Sequence, residues 1–167
     1  MDADETIFDF PVCEYNALKE ALGFYGIVFN DEVYSSFSSI NAALWKKLEL
    51  KEITKPALRI RRFSEMLEKC FPESEAVKPA LLAEKYIERL AGQAVFTEGA
   101  YQALEKLSRC YDIYIITNGF STVQKSRISL SGIRPFLKGV FISEELGADK
   151  PEKLFFEKAL EDRKSVV

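Results

Sequence analysis

The sequence predicts an α/β fold: a parallel sheet layer interrupted by a long run of helices. Three observations predict it. Two β-rich stretches, Tyr111–Thr117 and Gly139–Ser143, alternate with helical stretches, the pattern of a parallel α/β layer. Four successive helical patterns lie between Pro11 and Gly92 with no strand among them. Ahead of both stands an acidic hook, Asp2-Ala3-Asp4-Glu5-Thr6, at the edge of the apolar pair Ile7-Phe8.

Taken in order, Pro11 suits a first helical position, and a helix to about Phe24 carries Val12, Tyr15, Leu18 and Leu22 on one stripe, with Gly23 and Gly26 ending it. Asn30 is the expected N-cap of a second helix to about Leu48, which buries Val33, Phe37, Ile40, Leu44 and Leu48. Thr54 caps a third, with Pro56 just inside, apolar positions at Leu58, Ile60, Phe63, Met66 and Leu67, and Pro72 closing it. A fourth runs from about Ala76 to Leu90 and stops at Gly92. After Ala94-Val95-Phe96, a helix from Glu98-Gly99 to about Arg109 leads into the first strand, which ends in Asn118-Gly119. A helix from about Thr122 to Leu130 precedes the second strand, and Pro151 opens a last helix to about Glu161. This order divides the chain into a core, residues 1–10 and 93–167, and an inserted helical unit, residues 11–92.

Composition limits the chemistry. With 167 residues, 47% hydrophobic and 29% charged, the chain can bury a core and is not disordered. A net charge of -3 argues against a nucleic-acid surface. There is no run of apolar residues long enough for a membrane span and no signal-peptide pattern, so a cytoplasmic protein without membrane contact is expected. Cys13, Cys70 and Cys110 are far apart and read as reduced, mostly buried thiols. Histidine is absent, which removes Ser-His-Asp and Cys-His nucleophile systems and His-ligated metals; acid–base work falls to Asp, Glu, Lys, Tyr or Cys.

Asp2 and Asp4 stand two apart, so an extended or tightly turning backbone can bring both to one ligand. Two acids sharing a site repel unless a cation holds them, which suits metal-assisted or covalent hydrolysis. In parallel sheets ligands bind beyond the carboxyl ends of strands. Thr117-Asn118-Gly119 ends the first strand, offering a hydroxyl and turn amides for an anion such as phosphate. Lys150, in Gly147-Ala148-Asp149-Lys150-Pro151, follows the second. Each alone has a plain structural explanation: a charged chain end, a capping turn, a solvated lysine.

Together and in this order, Asp2/Asp4/Thr6, Thr117 and Lys150 resemble the motifs of the haloacid dehalogenase-like (HAD) hydrolases. The segment YSSFSSINAALWKKLE from Tyr34, Glu52-Ile53-Thr54, and the stretch from Glu98 to Pro151 are similar to the pyrimidine 5'-nucleotidase branch. The resemblance implies a Rossmann-like core with a helical-bundle cap and a Mg2+-dependent phosphatase acting on nucleoside 5'-monophosphates. In it Asp2 attacks phosphorus and forms an aspartyl-phosphate, and Asp4 serves as acid and then base. Thr117, Asn118, Gly119 and Lys150 hold the phosphoryl group. Magnesium takes the Asp2 carboxylate and the backbone carbonyl of Asp4. The rival readings are a phosphatase of small sugar or acid phosphates, such as phosphoglycolate, and a non-catalytic helical interaction module.

Against the family pattern, the strand expected before Asp2 and the acidic motif expected after Val167 are missing. RKSVV, from Arg163, reads as the start of a further strand. The chain therefore reads as truncated at both ends, with a marginal two-strand sheet and impaired activity. Within the cap, Asn41, Lys46 and Arg59 are candidate polar contacts, and Trp45 or Phe37 a stacking partner for a base, though core packing is the commoner role of such aromatics. The run Arg59-Ile60-Arg61-Arg62 reads as solvent-facing.

Overall fold

The structure is a computed structural model describing residues 1–73 and 76–165. It falls into two compact units, Met1–Glu14 with Ala91–Val167, and Tyr15–Leu90.

The second unit is helical. Helix α1 (Phe10–Phe24) begins in the first unit and ends here; α2 (Asp31–Glu49), α3 (Lys55–Cys70) and most of α4 (Pro79–Ala91) complete it. The caps are those the sequence predicts. Asn30 Oδ1 accepts from the Val33 N–H at 2.9 Å, and Thr54 Oγ1 from the Ala57 N–H at 3.4 Å, satisfying otherwise orphaned donors. Helix α4 starts three residues later than expected, at Pro79, whose fixed φ suits a first turn. Ser74 and Glu75, between Pro72 and the expected start, lie outside the described residues.

Several side-chain expectations need correction: Ile40 and Leu48 of α2 are only partly buried, and Ile60 of α3 is exposed. The buried stripe of α1 keeps Leu18 and Leu22 as expected and adds Cys13, Ala17 and Ala21, whereas Val12 is exposed. Arg62 is not solvent-facing but 1% exposed. Its guanidinium lies over the rings of Tyr86, Phe63 and Phe37 at 4.6, 5.2 and 6.0 Å, and its Nη1 donates to Asn41 Oδ1 at 3.2 Å. A buried charge demands such partners, and helical spacing turns Arg62 inward with Leu58 and Met66 while Ile60 turns out.

The first unit holds the sheet. Strand β1 (Ile113–Thr117) follows α5 (Ala100–Leu107), and α6 (Ser121–Leu130) links it to β2 (Leu137–Ile142) by way of a short 3-10 turn at Arg134–Phe136. The strands pair in parallel, from Ile113 opposite Leu137 to Thr117 opposite Ile142. Gly139 faces Tyr114, where a Cβ would lie 3.0 Å from the ring, so the tyrosine packs flat and stacks on Phe141 at 5.7 Å. On the other edge of β1, the Met1 amine donates to Tyr114 O at 2.7 Å and Ile116 N–H to Met1 O at 2.8 Å, extending the ladder to the start of the acidic hook. Ala3, Ile7, Phe8, Leu104, Ile113, Ile115, Ile128, Ile133 and Leu137 form the core beneath.

The end of the chain departs from expectation. A one-turn helix, α7 (Ser143–Leu146), follows β2. The last helix, α8 (Lys153–Ser165), starts two residues after Pro151 rather than at it. Asp149–Glu152 instead forms a turn closed by Glu152 N–H to Asp149 O at 2.8 Å, with Lys150–Pro151 cis, the arrangement of a turn with proline third. Arg163–Ser165, expected to begin a strand, continue α8; Val166 and Val167 lie outside the described residues. Of the three thiols only Cys13 is buried, Cys70 is intermediate and Cys110 exposed; none is in a disulfide. Among the described residues no helix is long and apolar enough to cross a membrane.

Candidate active site

The acidic hook is anchored. Ala3 O accepts from Ile7 N–H at 3.0 Å and Phe8 N–H at 2.9 Å, and Glu5 N–H reaches Phe8 O at 2.8 Å, closing a tight turn with Glu5 at φ 56. Ala3, Ile7 and Phe8 are fully buried, so hydrophobic burial pins the backbone between the acids. Thr6 is exposed on this turn.

Asp2 leaves the ladder beside the end of β1 and meets Lys150. Lys150 Nζ donates to Asp2 Oδ2 at 2.6 Å and to Ile116 O at 3.1 Å. The lysine side chain is 16% exposed and Asp2 47%, so the ammonium is held while one face of the carboxylate stays open to solvent. The Asp2 Oδ1 atom accepts from Ala3 N–H at 2.8 Å. Burial lowers the pKa of the neighbouring Met1 amine below 8.0, Asp2 opposing and Lys150 adding to the shift.

Asn118 explains how Lys150 arrives there. Its side-chain amide donates to Lys150 O at 2.9 Å, and its Oδ1 accepts from Lys150 N–H at 2.8 Å. This two-point clamp ties the turn after β2 to the end of β1. Gly119 N–H donates to Thr117 Oγ1 at 3.1 Å, so in this arrangement the loop amide and the Asn118 side chain build the site's frame. The structure thus places two hydrogen-bonded groups at the carboxyl end of β1: Asp2 with Lys150 and Asn118, and Asp4 with Gln124, Thr117 and Gly119.

Two partners of Asp4 escape the sequence reading. Gln124 and Arg127 lie on α6, both buried, on one stripe with Val123 and Ile128. Gln124 Nε2 donates to Asp4 Oδ2 at 2.6 Å and to Thr117 Oγ1 at 3.2 Å. Arg127 Nη1 pairs with Asp4 Oδ1 at 2.5 Å, its Nε donates to Gln93 O at 2.9 Å, its Nη2 to Cys13 Sγ at 3.5 Å, and the guanidinium lies 4.4 Å from the Phe8 ring centre. The available signal was a polar pair on an apolar stripe, facing a hook with a carboxylate in need of a cation. At the mouth of the same helix, Glu144 accepts from Ser121 N–H at 2.7 Å, and Glu145 contacts Ser121 and Lys125.

A divalent cation has hard oxygen donors here. The Asp2 carboxylate is half exposed, and the Asp4 carbonyl accepts none of the hydrogen bonds that close the hook. Among the described residues no group of three or more acidic, cysteine or histidine side chains gathers to hold a metal. Magnesium commonly binds through one or two carboxylates and fills its octahedron with water and substrate oxygen, so the two donors fit such an ion.

This architecture matches known proteins. A family model described as haloacid dehalogenase-like hydrolase matches residues 1–164. The chain belongs to the haloacid dehalogenase-like hydrolase family. Within it, the chain is 38% identical over 158 residues to pyrimidine 5'-nucleotidase PynA of Streptococcus pneumoniae, covering 94% of this chain and 65% of that protein. It is 33% identical over 160 residues to pyrimidine 5'-nucleotidase YjjG of Escherichia coli, covering 96% and 68%. The magnesium-bound crystal structure of the HAD-hydrolase YfnB from Bacillus subtilis superposes with a TM-score of 0.88 at 33% identity, covering 96% of this chain and 70% of that one. L-2-haloacid dehalogenase from Xanthobacter autotrophicus shares the fold, with a TM-score of 0.68 at 15% identity. The chain spans just under two thirds of the length of PynA, 65%. The Rossmann-like HAD fold class expected from the sequence is therefore observed, with a short parallel sheet and a predominance of helix.

Proposed function

We propose that this HAD hydrolase is the phosphoryl-transfer part of a magnesium-dependent nucleoside 5'-monophosphate phosphohydrolase, cytoplasmic, with a pyrimidine nucleotide as preferred substrate. The observation that carries the reading is the Lys150 ammonium on Asp2, 2.6 Å from Oδ2, with Thr117 linked to Asp4 through Gln124. Two relatives named as pyrimidine 5'-nucleotidases support the choice of substrate.

The chemistry follows from the groups present. Asp2, open on one face, attacks phosphorus; the bond from phosphorus to the 5' oxygen breaks, and the leaving oxygen takes a proton from Asp4. Water then attacks the aspartyl-phosphate, its proton passes to Asp4, and the Asp2 carboxylate is released with phosphate. Lys150 balances charge on Asp2 and on the transferring group, and the Thr117 hydroxyl orients a phosphoryl oxygen. Each Asp4 oxygen accepts a single hydrogen bond, from Gln124 on Oδ2 and from Arg127 on Oδ1, which leaves a lone pair on each to carry the proton. Asp2 and the Asp4 carbonyl would hold magnesium, which when bound supplies charge neutralisation for the phosphoryl oxygens.

In this reading the helical unit is the part of the chain that sets substrate choice. Among the cap contacts considered, Asn41 and Phe37 are spent in the unit's own core with Arg62, leaving Lys46 exposed and Arg59 and Trp45 partly so. A phosphate-release panel over UMP, CMP, AMP, phosphoglycolate and sugar phosphates, at enzyme in excess, tests the assignment. Release from UMP and CMP above the rest, lost in Asp2→Asn, is expected. Equal rates on unrelated phosphates would remove the nucleotidase label.

A further inference from the structure

Thr117 is buried, 1% exposed, and its hydroxyl oxygen accepts two N–H groups, from Gly119 at 3.1 Å and from Gln124 Nε2 at 3.2 Å. A threonine hydroxyl has two lone pairs and one proton. With both lone pairs engaged, the proton is the only function left, and no acceptor among the described residues takes it. The geometry points to Gln124 as a positioning residue that commits the Thr117 hydroxyl to donating toward a phosphoryl oxygen while fixing Asp4 Oδ2 with its second amide hydrogen. This deepens the proposed phosphohydrolase reading and rests on its assignment of Thr117 to the phosphate.

Three further observations support the assignment. Gln124 is itself 1% exposed, and its Oε1 has no hydrogen-bond partner among the described residues. A buried, unsatisfied carbonyl requires a reason, and turning the amide over would not help: it would aim an acceptor at Asp4 and Thr117 and strip both of a donor. The Asp4 carboxylate therefore fixes which way the amide faces. Second, the amide sits against Gly119, where a Cβ would fall 2.3 Å from Nε2, so the absence of a side chain in the loop is what admits Gln124. Third, Asp4 is braced on its other oxygen by Arg127, whose three nitrogens are all engaged, so the carboxylate that orients the Gln124 amide is itself held in place. Gln124 thereby ties the hydroxyl that senses phosphate to the carboxylate that moves the proton.

The test uses the whole chain with inorganic phosphate as probe, followed by titration calorimetry. Gln124→Met keeps the length of the side chain and removes both donors; it should weaken phosphate binding about tenfold, the equivalent of one hydrogen bond. Gln124→Glu, a second variant of the same shape, should lose at least as much. In Thr117→Val the Gln124→Met change should add nothing further, since no hydroxyl remains to be aimed, whereas Thr117→Ser should retain both the affinity and its dependence on Gln124. The Gln124 side-chain amide resonance, assigned by its loss in Gln124→Met, should shift when phosphate is added to the wild type and stay fixed in Thr117→Val. Undiminished affinity in Gln124→Met and Gln124→Glu, additive losses in the double variant, an unmoved amide resonance, or a wild type that binds no phosphate would each overturn the inference. A wild type that shows this dependence and yet releases no phosphate from UMP would uphold it and remove the nucleotidase reading instead.

Discussion

Lys150 and Asp2, 148 positions apart in sequence, form a 2.6 Å ion pair, and neither residue's own neighbours bring it about. Asn118 does so by clamping the Lys150 backbone at 2.8 and 2.9 Å. Replacing Asn118 by Leu should therefore lower phosphate release at least tenfold by loosening Lys150. Lys150→Arg should fail to restore wild-type rates, because a planar fork is not a point charge. Steady-state kinetics on UMP check both; a wild-type rate in Asn118→Leu would show that the clamp is dispensable.

Arg127 is buried with its charge facing Asp4, so removing Asp4 strands a buried guanidinium, whereas removing Arg127 leaves a partly exposed carboxylate that keeps its bond from Gln124. Asp4→Leu should destabilise the chain by about 3–5 kcal/mol and Arg127→Met by less, while the double substitution should recover much of the Asp4→Leu loss. Urea denaturation of the four proteins measures the cycle, and strictly additive losses would contradict the pairing.

Gly119→Ala tests the packing of the loop after β1. The new Cβ would lie 2.3 Å from Gln124 Nε2, so the amide must move, at a cost of about 1–3 kcal/mol. Thermal denaturation should show the loss, and phosphate affinity should fall with it.

Glu145 supplies a pH dependence outside the site. A hydrogen bond from Lys125, followed by one from Ser121, holds its carboxyl below the ordinary 4.5. A pKa lowered by folding stabilises the fold above about pH 4.5, and that contribution disappears as pH falls through the folded value. Since both side chains are partly exposed, the effect is small, about 0–1 kcal/mol. Lys125→Met should be less stable than wild type at pH 7, with the difference closing toward pH 3, as followed by urea denaturation.

The legible and the hidden parts of this protein divide along physical lines. Caps such as Asn30 and Thr54 are local, and so could be read from a few residues. Strands ending in Thr117 and followed by Lys150 could be placed because β-branched runs and their turns are also local. The burial of Arg62 is hidden because it depends on aromatic partners from two other helices, Phe37 and Tyr86. Gln124 and Arg127 are hidden for the same reason: their meaning lies in Asp4, at separations of 120 and 123 residues, which no window of sequence contains. The late start of α8 reflects a turn whose hydrogen bond, from Glu152 to Asp149, competes with helix at Pro151.

The central claim is that Asp2 receives the phosphoryl group, and trapping it is the direct test. The chain, in excess over UMP and with magnesium, is quenched in acid before turnover is complete, and its peptides are examined by mass spectrometry. The account predicts one hydroxylamine-labile phosphoryl group on the peptide carrying Asp2, absent in Asp2→Asn. Phosphate released from UMP by the wild type at the same rate as by Asp2→Asn, with Asp2 never modified, would contradict it.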